Sequence, residues 1–150
     1  MGCQSTQENY RSDLSQRKSL LIIQAQFQQA LQQHAEAARL FGEAARLEEE
    51  LADSYRQAGY SEDSAISLFS AASCYKQAGR MAEALASATQ ALSCTTMTSL
   101  SEEIRQFRDE CQPPRPTVPR TLRGIVRNGA VYPFEPEALT EGEWVTITTT

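Results

Sequence analysis

The chain holds a single histidine, His34, and four cysteines, Cys3, Cys74, Cys94 and Cys111, with no Cys-x-x-Cys pair among them. A lone imidazole in "LQQHAEA" and scattered thiols do not supply the clustered ligands of a zinc site. Nor is the spacing that of a secreted disulfide framework, so reduced thiols in a cytoplasmic protein are expected, with Cys74 and Cys94 inert among small neighbours. Glycine-rich phosphate loops, G-x-S-x-G and H-E-x-x-H are all missing. The expectation is therefore a non-enzyme with no catalytic residue, no cofactor and no metal. Apolar runs are short as well. "LLII" at 20–23 passes straight into glutamines, far from the ~20 residues that span a bilayer, and no signal-peptide core is present.

Charge is present but unevenly distributed. Of the 14 basic and 19 acidic residues that give a net charge of −5, residues 1–111 hold 10 and 15, and the remainder hold four of each. An acidic body argues against binding a phosphate backbone, which needs clustered Lys and Arg. Arg115, Arg120, Arg123 and Arg127 form only a short basic arm among prolines, read as solvated linker. The carboxylates at Glu48, Glu49, Glu50 and at Glu102, Glu103 are read as solvated helix faces. The opening "MGCQST" fits the pattern for N-myristoylation at Gly2, with Cys3 available for a second acyl chain. Two lipids would anchor the chain where one would not. This leaves a lipid-anchored adaptor as one alternative.

What the chain does have is helical periodicity from Ser19 to Cys111. Leu20, Ile23, Phe27, Ala30 and Leu31 make one apolar stripe, and Leu40, Ala44, Leu47, Leu51 and Tyr55 make a second. Gly59 and Gly79 suit the left-handed position that ends a helix. Ser61 is a candidate N-cap, and Ser99 or Ser101 opens the last helix ahead of Glu102 and Glu103. The pattern predicts a flexible N-terminus over 1–16. Helices follow from about 17 to 57, 62 to 78, 81 to 93 and 99 to 111. The first is either one long rod or a hairpin broken near Gly42. "LSEEIRQFRDEC" sets Leu100, Ile104 and Phe107 on one face with charge opposite, as a capping helix does.

"LFSAASCYKQAGRMAEALASATQAL" resembles a tetratricopeptide (TPR) repeat over residues 65–94. Leu68, Ala71, Ala72, Tyr75, Gly79, Ala84, Ala88 and Ala91 stand at that motif's large, small, aromatic, turn and crossing positions. Thirty-four residues earlier the match degrades, with Ala45 at the turn glycine and Glu50 at a small crossing position. Small residues at the crossing let antiparallel helices approach closely. The resemblance implies a TPR-like antiparallel helical bundle over 17–111 that acts as an adaptor binding a partner protein. Arg56, Lys76, Gln77 and Arg80 are the candidate partner-binding residues.

Composition changes after Cys111. "QPPRPTVPR" packs four prolines between positions 113 and 119, giving a stiff linker over 112–120. The stretch 121–150 then reads as a small three-strand β module. Two extended runs flank Asn128-Gly129, a strong hairpin signal, Pro133 and Pro136 stop the second, and "EWVTITTT" is the third. Three short strands cannot make a core alone, so Ile125, Val131, Trp144, Val145 and Ile147 are the candidate pairing residues. "GIVRNGAVYPFEPEALTEGEWVTI" resembles the small β-rich antitoxin domains of the AbrB/VapB-like kind. Gly129, Val131, Pro133, Leu139, Glu141, Gly142, Val145 and Ile147 are the matching positions. The resemblance implies dimerisation through strands, in some relatives with DNA binding. Here the sequence stops after the last strand, where such proteins carry a toxin-wrapping extension. The mainly α fold class thus carries an adaptor function, with an antitoxin-like or DNA-associated regulator as the alternative.

Overall fold

A computed structural model describes residues 3–112, 120–128, 130–133 and 145–148. Residues 3–112 form five helices: α1 (Cys3–Ala30), α2 (His34–Gln57), α3 (Ser61–Gln77), α4 (Met81–Cys94) and α5 (Thr98–Cys111). Each packs mainly on its neighbours in sequence, so the five stand in a row with α1 and α5 at its two ends. The architecture is a five-helix bundle of the kind helical repeats build.

Three corners of the row share one device. Gly59 (φ 83°) and Gly79 (φ 72°) both adopt the left-handed conformation. The amide of the following residue then reaches back to the last turn, Tyr60 N–H to Tyr55 C=O and Arg80 N–H to Tyr75 C=O, each at 2.9 Å. These bonds close orphan carbonyls at the helix ends. The third corner does the same with a side chain in place. Gln32 sits at φ 59°, and Gln33 N–H bonds Gln28 C=O at 2.9 Å. The first helical segment is therefore a hairpin broken at Gln32, not at Gly42. Gly42 is buried inside α2, where a Cβ would lie 3.6 Å from Arg80 Nη1. A left-handed conformation strains any residue with a Cβ by about 1 kcal/mol. Gln32→Gly is expected to raise stability by about 0.5–1 kcal/mol, read as a higher urea midpoint with unchanged slope. A lower midpoint would contradict the corner geometry.

The helix starts also differ from the expected ones. Tyr60 and Met97 stand at the N-cap positions of α3 and α5, neither with a side-chain cap, so Ser61 and the serines near residue 100 do not cap. A carboxylate from elsewhere stabilises the last corner. Glu62 accepts hydrogen bonds from the Thr95 hydroxyl at 2.5 Å, the Thr96 amide at 2.8 Å and the Thr96 hydroxyl at 2.7 Å. Those bonds hold its carboxyl below the usual value.

Residues 3–16, expected to be a flexible N-terminus ahead of a helix starting near 17, are the first half of α1. Leu14 is fully buried against Leu47 and Leu51 of α2, which gives this half a reason to be helical. The first apolar stripe is the other correction. Leu20, Ile23, Phe27 and Leu31 are each more than half exposed. The inward face of α1 is instead Leu14, Leu21, Ile22 and Ala25. An end helix has one neighbour, and only one of its two apolar faces can be covered. In the second stripe Leu40, Ala44, Leu47 and Leu51 are buried as expected.

The inner core is built around alanine. Ala44 and Ala45 of α2, Ala71 and Ala72 of α3, and Ala84, Ala88 and Ala91 of α4 are completely inaccessible. Their small side chains let the helices approach, and Leu68 and Ile104 fill the remaining space.

Residues from 114 onward form a separate compact unit. Its described parts are β1 (Arg120–Arg127), β2 (Ala130–Pro133) and β3 (Val145–Thr148), in the order β2-β1-β3. β2 runs antiparallel to β1, with Ile125 opposite Tyr132 and Val126 opposite Val131, and Asn128 at φ 52° lies at the turn. β3 runs parallel to β1, placing Leu122 opposite Ile147. The linker prolines at 113–119 and Trp144 lie outside the described residues.

Candidate functional site

Lys76, Gln77 and Arg80 surround the α3–α4 corner, where the Schellman turn at Gly79 fixes the backbone. Gln77 is exposed. Lys76 is half-buried: its ammonium lies 5.0 Å from the Phe107 ring centre and 3.2 Å from Glu110, tying α3 to α5. Arg80 bonds Glu83 at 2.6 Å while its guanidinium lies 5.1 Å over the Tyr75 ring. These three residues share the α3–α4 corner. Arg56 does not join them. Arg80 abuts α2 at Gly42, and Arg56 lies 14 residues further along that helix, about 21 Å away at 1.5 Å per residue. There Arg56 pairs with Asp53 at 2.6 Å on an exposed surface.

In the β unit, Ile125 is partly exposed and Val131, Val145 and Ile147 stand in strands. Gly2 lies outside the described residues, and Cys3 is the first residue of α1. His34 is the exposed first residue of α2. Among the described residues no group of three or more His, Cys, Asp or Glu is placed to hold a metal, and no helix is long and apolar enough to cross a membrane.

The most organised polar chemistry sits on residues read from sequence as a solvated face. Glu49 accepts hydrogen bonds from the Tyr75 hydroxyl at 2.9 Å and the Ser87 hydroxyl at 3.0 Å, so one carboxylate links α2, α3 and α4. Burial, then that carboxylate, pushes the Tyr75 phenol up to about 12. Glu48 is deeper, with a side chain only 1% exposed. Its Oε1 takes the Lys18 ammonium of α1 at 2.5 Å, while no hydrogen-bond partner among the described residues meets its buried Oε2. Burial raises the Glu48 carboxyl, and Lys18 offsets part of that rise. Cys74 is pushed up to about 11 by burial and the Glu48 charge, which leaves it a protonated, unreactive thiol. Glu50 alone of the three is exposed, its carboxylate 3.5 Å from the Tyr10 hydroxyl. One signal pointed inward. Glu48 stands four residues from both Ala44 and Ala52, inside a buried helical stripe.

These groups join helices and lock one another, and no activated nucleophile stands among them. A further surface feature is the exposed apolar face of Leu20, Ile23, Phe27 and Leu31 along α1 and its C-terminal end. No protein family, curated protein or solved structure matches this chain.

Proposed function

We propose that the protein is a non-catalytic adaptor whose TPR-like helical bundle holds a partner protein, while a C-terminal β module pairs with another chain. The observation that carries this reading is the α3–α4 hairpin. The alanines that match the repeat's crossing positions, Ala71, Ala72, Ala84, Ala88 and Ala91, are all fully buried, and Gly79 takes the left-handed turn position. Repeat hairpins that pack this way present fixed, polar side chains to peptides and partner helices. Lys76, Gln77 and Arg80 are the residues proposed for that contact.

Affinity capture with the full chain, followed by measured binding of the identified partner, tests the reading. A Lys76→Ala/Gln77→Ala variant is expected to weaken that partner's binding at least tenfold with unchanged helicity. Equal affinity for wild type and variant would remove the corner from the interface.

A second reading takes the β unit as the working part, in the manner of an AbrB/VapB-like regulator. The left-handed Asn128 turn between paired strands favours it. It predicts a loss of self-association on Val131→Pro, which removes an amide donor from β2; an unchanged mass would count against it.

A further inference from the structure

The five-helix row is finished differently at its two ends. At one end α5 turns Ile104 inward and leaves Glu102, Glu103, Arg105, Gln106, Asp109 and Glu110 exposed. That is the polar outer face a terminal helix needs. At the other end α1 shows Leu20 (57% exposed), Ile23 (62%), Phe27 (61%) and Leu31 (52%) along one side. Spacings of three and four residues put all four on a single helical face. The face opposite is the one packed on the bundle through Leu14, Leu21, Ile22 and Ala25. Contiguous exposed apolar surface of this kind marks an interaction site.

We infer that this face is covered by the same face of a second copy of the chain, α1 lying antiparallel to α1 across a twofold axis that passes the outer face midway between Ile23 and Phe27. Charge selects that occupant. No residue from Ser19 to Gln33 is ionisable, in a chain of net charge −5. Two acidic copies repel at their other surfaces, and here they meet with no charge to bury; a partner helix with acidic or basic flanks would find no counter-ion. The side chains are also self-complementary. Leu20, Ile23, Phe27 and Ala30 fall at alternating three- and four-residue steps, the seam of a coiled coil. An antiparallel match about this axis sets Ile23 against Phe27 of the partner subunit, and Leu20 against the small Ala30 of the partner subunit. An isologous contact of this type closes after two copies and cannot propagate.

The face runs over 12 residues from Leu20 to Leu31, which lies one residue past α1, and covers about 17 Å. A stripe of this length supplies few of the roughly 20–30 residues a side of a standard interface, and weak association is expected. Sedimentation equilibrium of the full chain from about 5 to 200 µM reads this directly. The wild-type mass is expected to climb from 16.6 kDa toward twice that value. Ile23→Glu/Phe27→Glu and Ile23→Lys/Phe27→Lys each stay at one chain mass with wild-type helicity, since the replaced side chains face solvent. Mixing the two variants restores the dimer, because each Glu then faces a Lys across the axis. A wild-type monomer throughout the range overturns the inference and assigns the face to a different partner. A dimer that survives in both charged variants overturns it in favour of another surface, the strands included. Monomeric single variants with a monomeric mixture overturn the antiparallel self-match.

Discussion

Lys18→Met is expected to destabilise the protein by about 3 kcal/mol, far more than removal of an ordinary half-exposed lysine would. The loss comes from what is left behind. Glu48 is 1% exposed, and among the described residues its Oε2 already has no hydrogen-bond partner while Lys18 supplies the one hydrogen bond to its Oε1. Without the ammonium, a buried carboxylate must stay charged with nothing beside it or take up a proton, and breaking one side of such a pair costs about 3–5 kcal/mol. Lys18 keeps some solvent contact, which places the expected value at the lower end. Lys18→Met/Glu48→Leu should recover most of the loss, since apolar residues of similar volume replace buried ion pairs at little cost. Urea unfolding of both variants decides the matter. A double variant as unstable as the single one would mean that Lys18 acts through packing alone.

The same carboxylate sets a pH dependence. Burial raises the folded-state Glu48 above the ordinary value of 4.5, so the folded protein binds this proton more tightly than the unfolded chain does. Its contribution to stability is complete below pH 4.5 and is lost as pH rises through the folded value. Unfolding free energy should therefore fall with rising pH across that window in wild type, and Glu48→Gln should remove this component. A difference between the two proteins that stays constant across pH 4–8 would contradict a raised Glu48.

Ile104→Ala is the second large effect, expected at about 3 kcal/mol. Ile104 is completely buried in a cluster whose other buried members are Ala52, Ala72, Ala88, Ala91 and Leu68, with Phe69, Leu92, Leu100 and Phe107 packed against it partly buried. Alanines cannot extend into a vacated space, and Phe69, Leu92, Leu100 and Phe107 pack on the cluster from its partly exposed edge, so few large side chains can fill it. The cavity therefore stays open, and isoleucine truncations at such sites cost about 2–5 kcal/mol. The damage concentrates on α5, which packs chiefly on α4. Beyond Ile104 its grip includes Leu100, the edge-on Phe69–Phe107 pair at 5.4 Å, the Lys76 ammonium on Glu110 and the Phe107 ring, and the Glu62 carboxylate at the corner. Cys111 in the last turn is buried, so labelling of its thiol reports directly on undocking. Labelling faster by tenfold or more, with a lower urea midpoint, is the expected pair of results. An unchanged labelling rate would show that α5 is held by its surface contacts.

Much of the helical row is legible in the sequence, because glycine and alanine carry it. Gly59 and Gly79 mark two corners, and the alanines of α3 and α4 mark a close crossing. The corner at Gln32 is invisible to the same reasoning, since glutamine announces no left-handed turn and bears the strain only because the hairpin requires it. The α1 stripe fails for a different reason. Periodicity reveals that a face is apolar, but not whether anything lies against it. α1 has apolar residues on two faces, and only the topology tells which meets the bundle. Glu48 and Glu49 fail because carboxylates are read as solvated, whereas the depth of Glu48 follows from Ala44 and Ala52, four residues to either side. Of the candidate surface, Lys76, Gln77 and Arg80 come together because one turn carries them, and Arg56 stands apart because sequence spacing does not encode which end of a helix meets which.

Neighbour-only packing lets α1, like α5 at the other end, lift away without disturbing the other four. Doing so would uncover the Glu48 carboxylate and the Cys74 thiol beneath it together. Covered, that thiol sits near 11; released into water, it returns toward its ordinary 9.0 and sheds its inertness. Cys74 is thus a clock set into the bundle, whose rate of alkylation counts how often the first helix leaves its seat.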